Sequence, residues 1–301
     1  MIAERLSFNN LIGYSAGKVN VYFKLLKFRL SFFVVFSSGM GYLLASPVKV
    51  NWINILVLSL IGFCVTGASN ILNQIIERES DKLMKRTRNR PLPSGRIAVS
   101  EALIYALVLG ISGIAGMLHF FNMNAALLSS ASLLLYAFAY TPLKTRSPLA
   151  VFVGAIPGAL PPMIGWVAAT NKFGLEPGIL FAIQFFWQFP HYWAIAWVLD
   201  EDYKKANIRL LPSKGQRDIN TAFRIMIYTV FLLPFGLMPM VLGMTGVTSA
   251  VIAVLCGVLF LAQTFYLMKE CTDKAALQIM FGSFIYLPVV QIAFVLDKLP
   301  Q

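Results

Sequence analysis

Residues 53–96 read INILVLSLIGFCVTGASNILNQIIERESDKLMKRTRNRPLPSGR. An apolar run from Ile53 to Ile71 passes directly into Asn73–Arg96, where oxygen donors mix with seven cations: Arg78, Lys82, Lys85, Arg86, Arg88, Arg90 and Arg96. The run has membrane-spanning length, since about 20 apolar residues bridge the hydrocarbon core. Asn73, Glu77 and Asp81 then recur every fourth residue, which on a helix places all three on one face. Hard oxygen ligands beside a dense Lys/Arg cluster suit a divalent cation and a phosphate-bearing anion held together. At the mouth of a membrane helix, that combination points to a diphosphate headgroup carried on a lipid-soluble tail.

The rest of the chain has the same character. It has 301 residues, of which 58% are hydrophobic and only 13% charged, with a mean hydropathy of +0.71. A soluble protein cannot bury that much apolar surface, so the composition predicts an all-α polytopic membrane protein. The net charge is +12, but the cations sit in short loops, which indicates membrane topology and anionic ligands and excludes nucleic acid as a partner. Cys64, Cys256 and Cys271 lie far apart without metal-ligand spacing, and the two inside apolar runs, Cys64 and Cys256, read as core residues. Residues 1–29 are mixed polar and amphipathic and lack a secretory signal pattern.

Nine spans are predicted, at about 29–46, 52–72, 98–119, 123–141, 148–169, 177–199, 222–242, 246–267 and 275–297. Turn residues separate most of them: Ser46-Pro47, Pro91 to Gly95, Asn122, Pro142, Gly174 to Pro177, Pro212 to Gly215, and Gly243 to Gly246. The N-terminal segment and the loops after the second, fourth, sixth and eighth spans hold 22 of the 25 Lys and Arg residues. The opposite face keeps only Lys49, Lys172 and Lys298. The positive-inside rule therefore predicts a cytoplasmic N-terminus and a C-terminus on the other side. One domain is expected over 1–301: a cytoplasmic segment 1–28, then a nine-helix bundle 29–297 around a central cavity open to the cytoplasm.

The loop after the sixth span, Asp200 to Asp218, repeats the acidic-then-basic order. Asp200, Glu201 and Asp202 precede Lys204, Lys205, Arg209, Lys214 and Arg217. Both loops are expected on the same face. A prenyl diphosphate ionises at its C1–O bond to give an allylic cation and diphosphate. Divalent ions between acidic residues and diphosphate oxygens stabilise the leaving group, and Lys/Arg take up the remaining charge. Mg²⁺ takes one or two carboxylates and completes its shell with phosphate oxygens and water, which fits sparse acidic loops. The plain alternative is a solvated interface with no ligand.

Three blocks then carry a resemblance. They are Met84-Lys85-Arg86-Thr87-Arg88-Asn89-Arg90-Pro91-Leu92 through Gly95; Tyr140-Thr141-Pro142-Leu143-Lys144-Thr145-Arg146 with Gly154 to Trp166; and Phe189-Pro190-His191-Tyr192-Trp193 with Asp202 to Pro212. Over roughly 25–295 the chain resembles the UbiA-type intramembrane prenyltransferases, within them the heme branch, the protoheme IX farnesyltransferases or heme O synthases. The resemblance implies that a farnesyl group passes from farnesyl diphosphate to the 2-vinyl group of heme B, the protoheme IX substrate, with water capturing the resulting carbocation to give heme O. It implies Mg²⁺, with catalytic Asn73, Glu77, Asp81 and Asp202, and metal ligands drawn from Asn73, Glu77, Asp81, Asp200, Glu201 and Asp202. Diphosphate contacts fall to Lys85, Arg86, Arg88, Arg90, Lys204 and Arg209. It further implies the inner membrane of a bacterium and docking to a heme A synthase or a terminal oxidase assembly. The chain departs from the family pattern in having Glu77 and Glu79 where Asp is usual and Gln74 where a second Asn is frequent. Asp200-Glu201-Asp202 replaces a Lys-Asp-Asp order, so any of the three acids is a candidate.

His191 lies among aromatics, nine residues before Asp200, and intramembrane histidines tend to face cavities. It is expected to ligate heme iron or bond a propionate, or else to be a hydrogen-bonded packing residue. Tyr140, Lys144 and Arg146 are candidates for heme contacts; Lys144 and Arg146 are also candidates for diphosphate or for topology alone. His119 reads as interfacial. Gly154, Gly158 and Gly165, with Pro157, Pro161 and Pro162, predict close, bent helix packing. Two other readings compete: the same chemistry on another aromatic acceptor such as a quinone precursor, and a membrane transporter or heme carrier. Transporters place charge near mid-membrane, whereas here it gathers at one face.

Overall fold

The computed structural model describes residues 17–46, 50–212 and 215–300. Arg5, Pro47, Lys49 and the Ser213–Lys214 pair lie outside the described residues. Among the described residues there is no strand, only one isolated bridge between Thr245 and Lys298. Residues 17–25 are helical. The helices that follow are α1 (Phe28–Ala45), α2 (Trp52–Ile76), α3 (Arg78–Leu83), α4 (Val99–Phe120), α5 (Met123–Leu134), α6 (Ala150–Thr170), α7 (Leu175–Val198), α8 (Asp200–Lys205), α9 (Ile219–Val230), α10 (Leu232–Val241), α11 (Val247–Glu270) and α12 (Asp273–Leu296).

Eight helical stretches among the described residues are long and apolar enough to cross a membrane. They include α9 and α10 taken together, and α5 with its extension to Leu143. The sixth predicted span is α7, a 24-residue helix that is not one of the eight. Its interior carries Gln184, Gln188, His191 and Pro190, which lower its hydropathy. Its two glutamines are satisfied inside the protein, as a bilayer demands. Gln184 Oε1 accepts from Ser37 Oγ at 2.5 Å and from Gln291 Nε2 at 3.1 Å, and Gln188 Nε2 donates to Ala155 O at 3.0 Å. Length and apolarity therefore support eight spans, and α7 is a further full-length helix spent on internal bonding.

Packing neighbours run α1–α2–α4–α5–α6–α7–α9–α11–α12, and α12 returns to α1. Inside this ring α6 lies tightly on α1. Side chains are missing where the two backbones meet: a Cβ on Gly41 would overlap the Pro162 carbonyl, and one on Gly165 would overlap Ser38 O. The outward faces are apolar, with Ile104, Val108 and Ile111 each about 60% exposed or more, as for lipid contact.

Contacts between loops define two ends of the bundle. At one end Lys144 meets Glu77, Asp202 meets the backbone of Lys85 and Arg86, and Arg217 meets Asp273. At the other, Asn122 Nδ2 donates to Val167 O at 2.8 Å, and Lys298 Nζ donates to Leu43 O and Ser46 O at 3.0 and 2.9 Å. The second arrangement satisfies the last carbonyls of α1 with a cation. Helix α7 runs from the second end to the first.

Candidate active site

The row Asn73, Glu77, Asp81 holds together, with one change from the single helix expected. Helix α2 stops at Ile76, Glu77 is the joint, and Asp81 belongs to α3. The i→i+4 bonding nevertheless continues across the joint: Glu77 N donates to Asn73 O at 2.9 Å and Asp81 N to Glu77 O at 2.8 Å. The three side chains thus stay in line, and all three are buried.

Each faces its own cation. Lys27 Nζ donates to Asn73 Oδ1 at 2.9 Å. Lys144 Nζ lies 2.7 Å from Glu77 Oε1, a buried ion pair. Arg90 Nη1 donates to Asp81 Oδ2 at 2.8 Å and Oδ1 at 3.1 Å. Burial works against the Glu77 carboxylate, but Lys144 and then Lys27 outweigh it and hold its pKa below the usual carboxylate range. Burial likewise opposes the Lys144 charge, yet Glu77 drives its pKa upward. Lys27 is pushed down to about 7, first by burial and then by Arg90.

Local chemistry explains the placement. Lys27 takes a left-handed backbone, φ 49°, at the start of α1, turning the chain so that the preceding helix folds over α2. Thr141 receives Asn73 Nδ2 at 3.1 Å and donates to Tyr136 O at 2.8 Å. It closes a π-helical turn, Leu135–Tyr140. Pro142 follows; it has no N–H and clashes with an α-helical i−4 carbonyl, so the turn widens. After α3, Thr87 Oγ1 donates to Asp81 O at 2.9 Å, and Gly95, at φ 72°, closes the loop.

The two acidic-then-basic loops do meet. Asp202 Oδ1 accepts from Lys85 N at 2.9 Å and Oδ2 from Arg86 N at 3.1 Å. These bonds and Lys205 hold the Asp202 carboxyl below its ordinary pKa, against its desolvation. Asp200 and Glu201 turn elsewhere, to Lys204 and Arg217: Lys204 Nζ is 2.7 Å from Asp200 Oδ2, and Arg217 Nη2 is 2.6 Å from Glu201 Oε1. Arg217 also reaches Asp273 at 3.0 Å. Lys204 and Arg209, expected beside Lys85–Arg90, instead line a separate cavity of about 420 Å³ with Asp200, Asn207, Gln216 and Arg217. Lys85, Arg86 and Arg88 are exposed.

Among the described residues no group of three or more His, Cys, Asp or Glu side chains is close enough to hold a metal by itself. The row Asn73–Glu77–Asp81 instead offers an amide oxygen and two carboxylates. Two buried carboxylates and an amide oxygen in line fit a divalent cation that draws its other ligands from a diphosphate.

His191 is deeper in α7, stacked on Trp187 at 4.6 Å and 15°, with Phe284 edge-on at 4.9 Å. Its Nδ1 is 2.7 Å from Ser283 Oγ. The single Ser283 proton goes to Met280 O at 2.6 Å, so toward His191 the serine oxygen accepts. The ring proton is therefore on Nδ1 and Nε2 keeps its lone pair. Tyr140 is buried with Lys144 Nζ 5.4 Å from its ring centroid, and its ring fills the space a Cβ on Gly154 would take. Arg146 is exposed.

Sequence reasoning missed Lys27, Thr141 and the hub role of Arg217. For Lys27 the available signal was a cation immediately before the first apolar run.

Residues 34–287 match the UbiA prenyltransferase family. The chain is 60% identical over 284 residues to a protoheme IX farnesyltransferase of Cytophaga hutchinsonii, covering 94% of this chain and 99% of the relative. Its fold is similar to that of a digeranylgeranylglyceryl phosphate synthase, with TM-score 0.78 at 22% identity over 93% and 98% of the two chains. A UbiA homolog from Archaeoglobus fulgidus bound to GPP and Mg²⁺ also shares the fold, with TM-score 0.59 at 14% identity over 91% and 99%.

Proposed function

The chain belongs to the UbiA prenyltransferase family, and we propose that it transfers a farnesyl group from farnesyl diphosphate to the 2-vinyl group of protoheme IX. The C1–O bond of the donor breaks and the electrons leave with diphosphate. C1 bonds to the vinyl carbon, and water adds to the resulting carbocation and loses a proton, giving heme O. The observation that carries this reading is the buried Asn73–Glu77–Asp81 row, each oxygen set against a separate cation at the basic end of a membrane bundle.

Asn73, Glu77 and Asp81 are the residues that would hold Mg²⁺. Bound there, the ion would neutralise the diphosphate and make it a better leaving group. The chain's own part is electrostatic. Lys144 keeps Glu77 charged despite burial, Arg90 fixes both oxygens of Asp81, and Lys85, Arg86 and Arg88 supply positive charge on the adjoining loop. Asp202 bonds to the Lys85 and Arg86 amides and so acts as the clamp that sets this loop over the row. His191 Nε2 is available to heme iron, and Tyr140, Lys144 and Arg146 lie on the acceptor side.

The family match spans most of 29–297, which supports one membrane domain. The sequence assigns 22 of the 25 Lys and Arg residues to the N-terminal segment and alternate loops, which supports a cytoplasmic placement of that end; a bacterial inner membrane is the setting proposed for it.

Purified protein given farnesyl diphosphate with either heme B or a phenolic quinone precursor tests the acceptor. Farnesylated heme by mass spectrometry and diphosphate release with heme alone are expected; product from the phenolic acceptor instead would overturn the reading. Asp81→Asn keeps an oxygen for Arg90 but loses the charge, and diphosphate release should fall on the order of 10²-fold.

A further inference from the structure

Helix α8 separates two polar regions. Along a helix, positions two apart point about 200° away from each other. Asp202 points to the 84–86 backbone, and through it to the Asn73–Glu77–Asp81 row. Asp200 and Lys204, four apart and on one face, point the other way, into the 420 Å³ cavity. None of Asn73, Glu77 or Asp81 lines that cavity.

The lining of this cavity is rich in donors. Lys204, Arg209 and Arg217 are cationic, and Asn207 and Gln216 bring amides. Its one acidic member, Asp200, is already met by Lys204 at 2.7 Å and by Arg217 Nε at 3.4 Å. Arg217 is also committed to Glu201 and Asp273. Arg209 has no ion pair among the described residues, and its stem lies 3.7 Å from where a Cβ on Gly215 would sit. Asn207 and Gly215 both have left-handed backbones, φ 54° and 77°, which curl the loop around the space. A bent, donor-lined cavity with an uncommitted guanidinium is built for an anion.

The anion differs from the one at the α2–α3 joint. A prenyl diphosphate needs a metal-binding donor set and an apolar path for its tail. Here the lining has a single carboxylate, against two carboxylates and an amide oxygen in the row, and every lining side chain is polar or absent. We propose that this cavity receives the propionate carboxylates of the porphyrin acceptor and so selects heme over neutral aromatic acceptors. The assignment rests on farnesyl transfer to protoheme as argued above, and it moves Lys204 and Arg209 from the donor to the acceptor.

The test compares protoheme IX with its dimethyl ester, which keeps both vinyl groups and removes both charges. For the wild type, the ester should raise the acceptor KM roughly tenfold or more, the loss of charged hydrogen bonds. Arg209→Gln, an exposed position outside the Arg217 hub, should raise the KM for protoheme by about tenfold, leave that for farnesyl diphosphate within about twofold, and erase the preference for acid over ester. Arg209→Lys should restore part of the preference. If wild type uses acid and ester alike, or Arg209→Gln shifts the farnesyl diphosphate KM instead, the cavity assignment is wrong while the activity stands. If wild type farnesylates neither porphyrin, the activity reading falls and the assignment falls with it.

Discussion

Glu77 occupies the joint between α2 and α3, and its neighbours show what four-residue spacing can and cannot reveal. The row Asn73–Glu77–Asp81 was legible because the i→i+4 bonds run on through the joint, so helical register survives a change of helix. The partners were not legible. Lys27 is 46 residues from Asn73 and Thr141 is 68 residues away, and no local pattern links them. Asp202 is instructive in another way: its acid was visible, but it bonds to backbone N–H groups, which have no sequence signature. If its role is to clamp the 84–86 loop, a neutral acceptor should largely suffice. Asp202→Asn is expected to stay within about tenfold of wild-type kcat/KM, whereas Asp202→Ala, which frees two amides, should cost about 2 kcal/mol of transition-state binding and expose the loop to protease. Equal, near-complete losses in both variants would make Asp202 a metal ligand after all.

Among the elements, α6 and α7 carry the architecture. Nine apolar segments could be read from hydropathy and breakers, and the helices fall where expected, with α2 reaching Ile76 beyond its predicted end and the seventh span breaking at Phe231. The π-helical turn before Pro142 was not legible, since a proline announces a disturbed helix without saying how the carbonyls are re-bonded. Close contact between α1 and α6 follows from Gly41 and Gly165, and it is testable. Gly165→Ala would force a methyl into the Ser38 carbonyl and should lower stability by about 1–3 kcal/mol in detergent unfolding. Gly178→Ala, where a Cβ meets nothing within 4 Å, should leave stability unchanged. Gly154→Ala should act differently, displacing the Tyr140 ring and reducing turnover with heme more than it reduces stability. Comparable effects of all three would mean that packing is looser than the geometry describes.

For the molecule as a whole, the charge distribution legible in the sequence is the ground for the proposed orientation. With Cys64, Cys256 and Cys271 replaced by Ala, Arg88→Cys should react with an impermeant maleimide only in inverted membrane vesicles, and Lys172→Cys only from the outside of intact cells. Reversed labelling would turn the protein over. What charge counting could not provide is the way the basic end is sewn together from distant segments. The tie from Asp202 to Lys85 bridges 117 residues, and Arg217 reaches a further 56 to Asp273. A nascent polypeptide leaving the ribosome therefore presents Asn73, Glu77 and Asp81 well before α8 delivers the clamp of the adjoining loop. Until that stretch is threaded, the Lys85 and Arg86 amides wait without the carboxylate that fastens them.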